Sequence, residues 1–302
     1  MPSLLLGMDI GATKISTGLV SPRGVVRQQK KSLTEVAKGK QRVLGNIFSA
    51  IASYPRSSFS RIGIGIMGSV DWKRGISGSA DKLPRGWHNV PLAALISRRL
   101  HKPASVNNDA NAFALGATWS KGKKYSAVVG ITLGSGIGGG FVINGKVYHG
   151  KDDWVSEFGH TVIDLSSAIR CACGHYGHFE ALAGGWGMSR QYARLTGKRL
   201  SAQEIEHAYR QGDTSARKVF RLMSRALGAG LANIVATHNP DVIYIGGGLS
   251  RFHPYVQAGI REMKNLLEKL PPHGTHVILV HNPEAANIRG AALLAYSRHH
   301  SA

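Results

Sequence analysis

Acidic residues are scarce in this 302-residue chain: 17 Asp and Glu stand against 38 Lys and Arg, for a formal net charge of +21. Cysteine is scarcer still, with Cys171 and Cys173 the only two. Two thiols one residue apart cannot staple a secreted fold, and no signal-peptide pattern follows Met1, so a reducing cytoplasm is the expected compartment. Aromatic residues make up 7% of the chain and do not interleave with its densest basic run, Lys30 to Arg42, which argues against a platform for single-stranded nucleic acid. No charge falls between Lys124 and Lys146, but Gly130, Gly134, Gly136, Gly138, Gly139 and Gly140 indicate a turn-rich buried hairpin there, not a membrane span. The G-x-x-x-x-G-K-S/T pattern of a P-loop is missing, which argues against Walker-type nucleotide binding.

What is present fits two globular domains. The length and an apolar content of 43% can fill two cores. Leu4 to Val20 and Val128 to Ile143 look like relatives of one another: each is an apolar strand, a small-residue turn and a second apolar strand, followed by a turn signal. Repetition at that distance suggests a duplicated domain. Val43, Leu44, Ile47, Phe48 and Ile51 recur at helical spacing, and Ile62 to Met67 reads as a buried strand. Helices are predicted over Leu92 to Leu100, Ala110 to Trp119 and Ala216 to Thr237, and strands over Ala104 to Asn107 and Val242 to Ile245. The basic charge is uneven, with 21 Lys/Arg and 5 Asp/Glu in residues 1–150 but 17 and 12 in residues 151–302. A basic lobe could attract a polyanion; dispersal over many elements favours a solvated cationic surface, with no specific nucleic-acid partner.

Four places carry candidate chemistry. His160, Cys171, Cys173 and His178 offer two imidazoles and two potential thiolates, the donor set that closed, tetrahedral zinc prefers. A zinc pinning this loop would also pin Glu157 and Glu180, and so could build a site for a polyhydroxy ligand. The bland alternative is a reduced cysteine pair among scattered histidines. In Asp9-Ile10-Gly11-Ala12-Thr13-Lys14 a carboxylate ends a strand before a small-residue turn, with Asp9 suited to face hydrated magnesium and Thr13 and Lys14 phosphate oxygens; many hairpins carry Asp and Gly for conformational reasons alone. Gly134-Ser135-Gly136-Ile137-Gly138 would let backbone approach an anion closely, and Gly246-Gly247-Gly248 suits adenosine lying flat on main chain. Finally, Asn107-Asn108-Asp109-Ala110-Asn111 sets a carboxylate between a strand and a helix, where it is either a helix cap or a base that receives a hydroxyl proton.

Taken in order, these motifs resemble the ROK family of repressors, open reading frames and sugar kinases, from residue 4 to about residue 295. The family's zinc segment reads G-E-x-G-H followed by C-x-C-G-x-x-G-C-x-E; here His178 stands at the third cysteine, with His175 as a competitor, and Ser156 and Asp153 occupy positions that are usually Gly. Ala12 and Ser135 replace a Gly and a Thr in the phosphate motifs, and Met67 stands where Pro is usual. The resemblance implies an α/β fold of two actin-like, ribonuclease-H-like domains with an interdomain cleft, over residues 1–118 plus 288–302 and residues 119–287. It implies ATP and Mg²⁺ as cofactors beside structural Zn²⁺, with Asp109 as catalytic base. It also implies a hexose held by Gly65, Asn108, Asp109, Glu157, His160 and Glu180, although Gly65 could equally serve close strand packing. Asp9, Gly11, Thr13, Lys14, Gly134, Ser135, Gly136, Gly138, Gly246, Gly247 and Gly248 would hold the nucleotide.

The expected reaction is ATP-dependent phosphorylation of a hexose, at O6 and with glucose first. Fructose, mannose, allose and N-acetylhexosamines stand behind it, and polyphosphate is a minor alternative phosphoryl donor. In the stretch Ser79 to Pro84, Asp81 or Lys82 stands where relatives often place an asparagine near the sugar. A homodimer is the expected assembly. The rival is a sugar-responsive repressor, which would need a helix-turn-helix ahead of the first hairpin, where three residues precede Leu4.

Overall fold

The structure, a computed structural model, describes residues 4–80, 82–119, 125–270 and 274–297. In chain order the first elements are β1 (Leu5–Ile10), β2 (Lys14–Val20), β3 (Val26–Leu33), α1 (Lys40–Ala52), β4 (Arg61–Ile66), β5 (Val70–Asp71), β6 (Ile76–Ser77), α2 (Leu92–Leu100), β7 (Ala104–Asn108) and α3 (Asp109–Thr118). There follow β8 (Ala127–Leu133), β9 (Ile137–Ile143), β10 (Lys146–Val147), α4 (Phe179–Ala183), α5 (Gly185–Thr196), α6 (Ala202–Arg210), α7 (Thr214–His238), β11 (Val242–Gly246), α8 (His253–Leu267), β12 (His276–Leu279) and α9 (Pro283–Ser297). The two five-stranded sheets have the same design, β3-β2-β1-β4-β7 and β10-β9-β8-β11-β12. In each, an antiparallel meander is extended by parallel strands, as a duplicated domain requires. Two compact units result: Met1–Tyr125 with Gly140–Val155 and Asn282–Ala302, and Ser126–Gly139 with Ser156–His281.

Alternation along β1 and β4 organises the first unit. Leu6, Met8, Ile10, Ile62, Ile64 and Ile66 share one face, since side chains alternate along a strand, and join one core with Val43, Ile47 and Ile51 of α1 and Leu92 and Ile96 of α2. The other face carries Gly7 and Gly63. There a Cβ would lie 2.0 Å from the Ile288 carbonyl oxygen or 1.8 Å from that of Ala291, so glycine lets α9 lie with its backbone against the sheet. On its other side α9 meets α3 just as closely: a Cβ on Gly290 would sit 1.7 Å from the Ala112 oxygen and one on Gly116 1.8 Å from that of Ala286.

In the second unit α7 is the long central helix, with Val219, Phe220, Met223, Leu227, Leu231 and Ile234 all buried, as its periodicity predicts. Asp213 caps its start by accepting from the Ala216 N–H at 2.6 Å, and Asn239 ends it in the left-handed conformation before Pro240. Among the described residues it is the one helix long and apolar enough to cross a membrane, and 61% of its apolar window is buried within the protein.

Candidate active site

Each unit carries one constellation of the expected residues. In the first, β1, β4 and β7 run parallel and in register, with Asp9 beside Gly65 and Gly65 beside Asn107. Their carboxyl ends, where ligands bind in open α/β sheets, therefore present Asp9, Gly65 and Asp109 together. Asn108, not Asp109, caps α3: its Oδ1 accepts from the N–H groups of Ala110 at 2.8 Å and Asn111 at 3.3 Å, and its Nδ2 donates to the Gly68 carbonyl at 3.1 Å. Asp109, in the first helical position, accepts from the Ala110 N–H at 3.0 Å. The capping role thus falls on the neighbour and a carboxylate edge remains for chemistry. A side chain at Gly65 would press on Ala112 Cβ at 3.2 Å and Asp109 Cα at 3.5 Å, so the start of α3 packs closely against β4 at this glycine.

Burial raises Asp109 above the ordinary carboxylate range, partly offset by the backbone bond and by Lys82. Asp9 is raised to about 7: burial and the nearby Asp109 push it up, while a 3.1 Å bond from Asn287 Nδ2 and the charge of Lys14 hold it down. Two carboxyl groups that resist simultaneous ionisation are a reason for a cation to be welcome there. The Gly11–Lys14 turn closes with Gly11 N–H on the Lys14 carbonyl at 2.9 Å. Thr34 braces it, donating its N–H to the Thr13 carbonyl at 3.1 Å and its hydroxyl to that of Gly11 at 2.7 Å. The Thr13 and Lys14 side chains are exposed. Lys82, Glu284 and Asn287 were not assigned a role from sequence; Lys82 was noted beside an expected sugar contact, and Asp81 lies outside the described residues.

In the second constellation the turn Gly134–Gly136 joins β8 to β9. Its Gly134 and Ser135 carbonyls accept from the N–H groups of Gly185 at 2.9 Å and Trp186 at 2.8 Å, at the start of α5. Glu180 Oε2 accepts from Ile137 N–H at 3.1 Å, and a Cβ on Gly136 would stand 2.1 Å from that oxygen. One carboxylate therefore couples the loop to the cysteine segment. Past β11, Gly247 has φ +94 and would drive a Cβ to 2.3 Å from the Leu133 carbonyl oxygen, while nothing approaches the Cβ position of Gly248 within 4 Å.

The zinc candidates converge. One ligating atom from each of His160, Cys171, Cys173 and His178 falls within 4.8 Å of the others. Cys173 Sγ is 3.2 Å and His160 Nδ1 3.4 Å from His178 Nδ1, and Cys171 Sγ is 3.8 Å from His160 Nδ1. A tetrahedral zinc with bonds of about 2.0–2.3 Å sets its ligands about 3.3–3.8 Å apart, so the donor set fits. His175 is not in the group; its carbonyl accepts from Cys171 N–H at 2.7 Å. Burial and the neighbouring imidazoles lower His178 and keep it neutral, as a ligand must be. Burial pushes the Cys171 thiol up to about 12, with Glu180 Oε1 accepting its proton at 3.3 Å. A zinc ion would reverse that preference by binding the thiolate. His160 divides its ring, with Nδ1 turned to the cluster and Nε2 4.0 Å from Glu157 Oε2. Both residues that replace usual glycines, Ser156 (φ +79) and Asp153 (φ +62), have left-handed backbone, which is the physical reason glycine suits these positions.

The chain belongs to the ROK family, whose model matches residues 5–298. It is 34% identical to a glucokinase of Thermotoga maritima, over 99% of both chains. It is also 34% identical to an N-acetyl-D-glucosamine kinase of Escherichia coli O127:H6, over 95% of this chain and 98% of the other. A ROK family glucokinase from Streptomyces griseus, solved in complex with glucose and AMPPNP, superposes with a TM-score of 0.82 at 30% identity, covering 98% of this chain and all of that one. The fold is thus the two-domain, actin-like α/β fold of ROK kinases.

Proposed function

We propose that this chain is an ATP-dependent sugar kinase in which Asp109 takes the proton from a hexose hydroxyl, O6, as that oxygen attacks the γ-phosphorus of ATP. The new bond joins the sugar oxygen to the γ-phosphorus, the bond to the β-phosphate oxygen breaks, and ADP leaves with that electron pair. The observation that carries the reading is the division of labour at the start of α3: Asn108 caps the helix, so Asp109 is spared for base work. Its raised pKa brings it nearer the operating pH, as a general base requires.

Mg²⁺ would neutralise charge on the transferring group, held through water by Asp9. Lys14 and the backbone of residues 134–138 receive phosphate oxygens, and Gly246, Gly247 and Gly248 receive the adenosine. Sugar hydroxyls fall to Glu157, Glu180, His160 Nε2 and the backbone of Gly65; Asn108, with its oxygen engaged at the cap, contributes its second N–H. His160 Nδ1, Cys171, Cys173 and His178 would hold a structural zinc, and His160 Nε2 would then remain for a sugar hydroxyl. Glucose is the first substrate proposed and N-acetylglucosamine the second, since curated relatives of near-equal identity carry those two names. The homodimer and the cytoplasmic location rest on the family resemblance.

ADP release measured across hexoses and amino-sugars, with the phosphorylated position read by NMR, tests the proposal. The expected result is release strictly dependent on one or two hexoses and a 6-phosphate product. Release no faster with any member of the panel than without sugar would refute it.

A further inference from the structure

The third element packed at the Asp9 turn is α9, and it meets the two charged residues of that turn from 270 or so positions away in the chain. Glu284 and Asn287 lie three residues apart in its first turn and so share a face. Glu284 accepts from Ser16 Oγ at 2.5 Å through Oε1, and its Oε2 lies 2.7 Å from Lys31 Nζ; Lys14 Nζ stands 3.5 Å from Oε1. Asn287 Nδ2 donates to Asp9 Oδ2, while its own Oδ1 is buried without a partner among the described residues.

We propose that the first turn of α9 is a positioning element for phosphoryl transfer, in which Glu284 orients Lys14 and Asn287 orients Asp9. The inference rests on the kinase reading above. Rigidity supports it. The glycine contacts at Gly7, Gly63, Gly116 and Gly290 set α9 backbone to backbone against both β1 and α3, and α3 begins with Asp109. Small displacements at the reacting groups are costly in catalysis, so a helix keyed to all three of Asp9, Lys14 and Asp109 is a fit support. Burial alone would raise Glu284, but the bonds from Lys31 and Ser16 and the charge of Lys14 outweigh it and keep the carboxylate ionised. A plainer role for Glu284 is to stabilise the helix start through the dipole. That role needs neither the convergence of three donors from β2 and β3 nor an asparagine that leaves a buried acceptor unmet at a cost to stability.

Glu284→Gln separates the two roles, since it removes the charge and keeps the shape. Calorimetric titration with MgADP, steady-state constants with the sugar that gives the fastest ADP release, and melting temperature would be measured on the full chain beside the parent. MgADP affinity and kcat should each fall about tenfold, the equivalent of one charge-assisted hydrogen bond, with sugar KM and melting temperature unchanged. Asn287→Ser should behave likewise, and Glu284→Asp, which keeps the charge, should recover part of the loss. Parental MgADP affinity and kcat in Glu284→Gln would overturn the proposal, as would losses that fall equally on sugar and nucleotide and track a lowered melting temperature. A parent that binds no MgADP and releases no ADP would instead refute the kinase reading itself.

Discussion

Asp9→Asn should make the protein more stable at pH 8 while abolishing its activity. Burial and Asp109 raise Asp9 from 3.8 to about 7, against the restraint of Asn287 and Lys14. A carboxyl whose folded pKa lies above its unfolded value binds its proton more tightly in the folded state. The ionised group therefore costs stability above pH 7, and the cost disappears as pH falls toward 4. At about 1.36 kcal/mol per unit the rise corresponds to a ceiling of roughly 4 kcal/mol. Asp9 keeps an edge open to water, and screening reduces this to about 1–2 kcal/mol. For a chain of this size that is a gain of about 2–3 °C in melting temperature. The asparagine can still accept from Asn287 through its oxygen. Melting would be followed at pH 8 and near pH 4 without magnesium, then with MgADP at pH 8. The variant should exceed the parent at pH 8, come close to it near pH 4 and gain less from MgADP. A variant no more stable than the parent at pH 8, or one whose advantage persists undiminished near pH 4, would refute the argument that a buried carboxylate is kept there at a cost for function.

Asp109→Asn should leave sugar and MgADP affinity within several-fold of the parent and lower kcat by about 10²–10⁴, because a base acts in the transition state; near-parental turnover would remove Asp109 from the mechanism. About one zinc per chain should appear on elemental analysis of the purified protein, and Cys171→Ser or Cys173→Ser should release it and weaken sugar binding more than MgADP binding; active protein without zinc would sink the site. Ser156→Gly should raise the melting temperature by about 1–3 °C, since it relieves a left-handed backbone at a cost of about 1 kcal/mol and its buried hydroxyl has no partner to lose among the described residues; an unchanged or lowered value would show that the serine is anchored some other way. Duplex DNA should bind only weakly and lose affinity steeply between 50 and 200 mM salt, as expected where counterion release drives binding; salt-resistant, sequence-selective and sugar-sensitive binding would favour the regulator.

The elements that bury one face were legible because their periodicity survives folding. α2 spans Leu92–Leu100 as its pattern predicts, and α7 runs two residues beyond its predicted start and one beyond its end. α5, α6 and α8 were not read. α5 opens on Gly185 and Gly187, which weaken any helical signal, and the latter is needed because a Cβ would meet the Ala181 carbonyl oxygen at 1.9 Å. α6 did carry a signal, the Ser201–Glu204 capping box, and α8 another, Pro254 in its first turn. At the site, motifs pointed to the residues that the family resemblance assigns to ligand, but not to the partners that pack on them from elsewhere in the chain. Nothing local marks Glu284 or Asn287 as partners of Lys14 and Asp9; only the docking of α9 brings them there. The choice between Asp109 and Asn108 as the cap of α3 was likewise undecidable from a sequence in which either residue is a good one.

The two sheets share an order and differ in what their turns carry. The first hairpin turn, between β1 and β2, is flanked by Asp9 and Lys14, whereas the corresponding turn between β8 and β9 contains no charged residue and two glycines. One can meet a cation and anionic oxygens by charge; the other can meet an anion only by close approach of backbone. The fourth strand of each order ends in the same device, a glycine with positive φ shortly after the strand: Gly68, at +86, follows β4, and Gly247, at +94, follows β11. Gly68 offers its carbonyl to the Asn108 that caps α3 and so sits beside the base. Gly247 presses against the Leu133 carbonyl and so fixes the main chain on which adenosine is proposed to rest. The two sheets thus share a backbone device while their turns differ in side chains, and the proposed division between a charged cation and phosphate site and a main-chain nucleotide site rests on that difference.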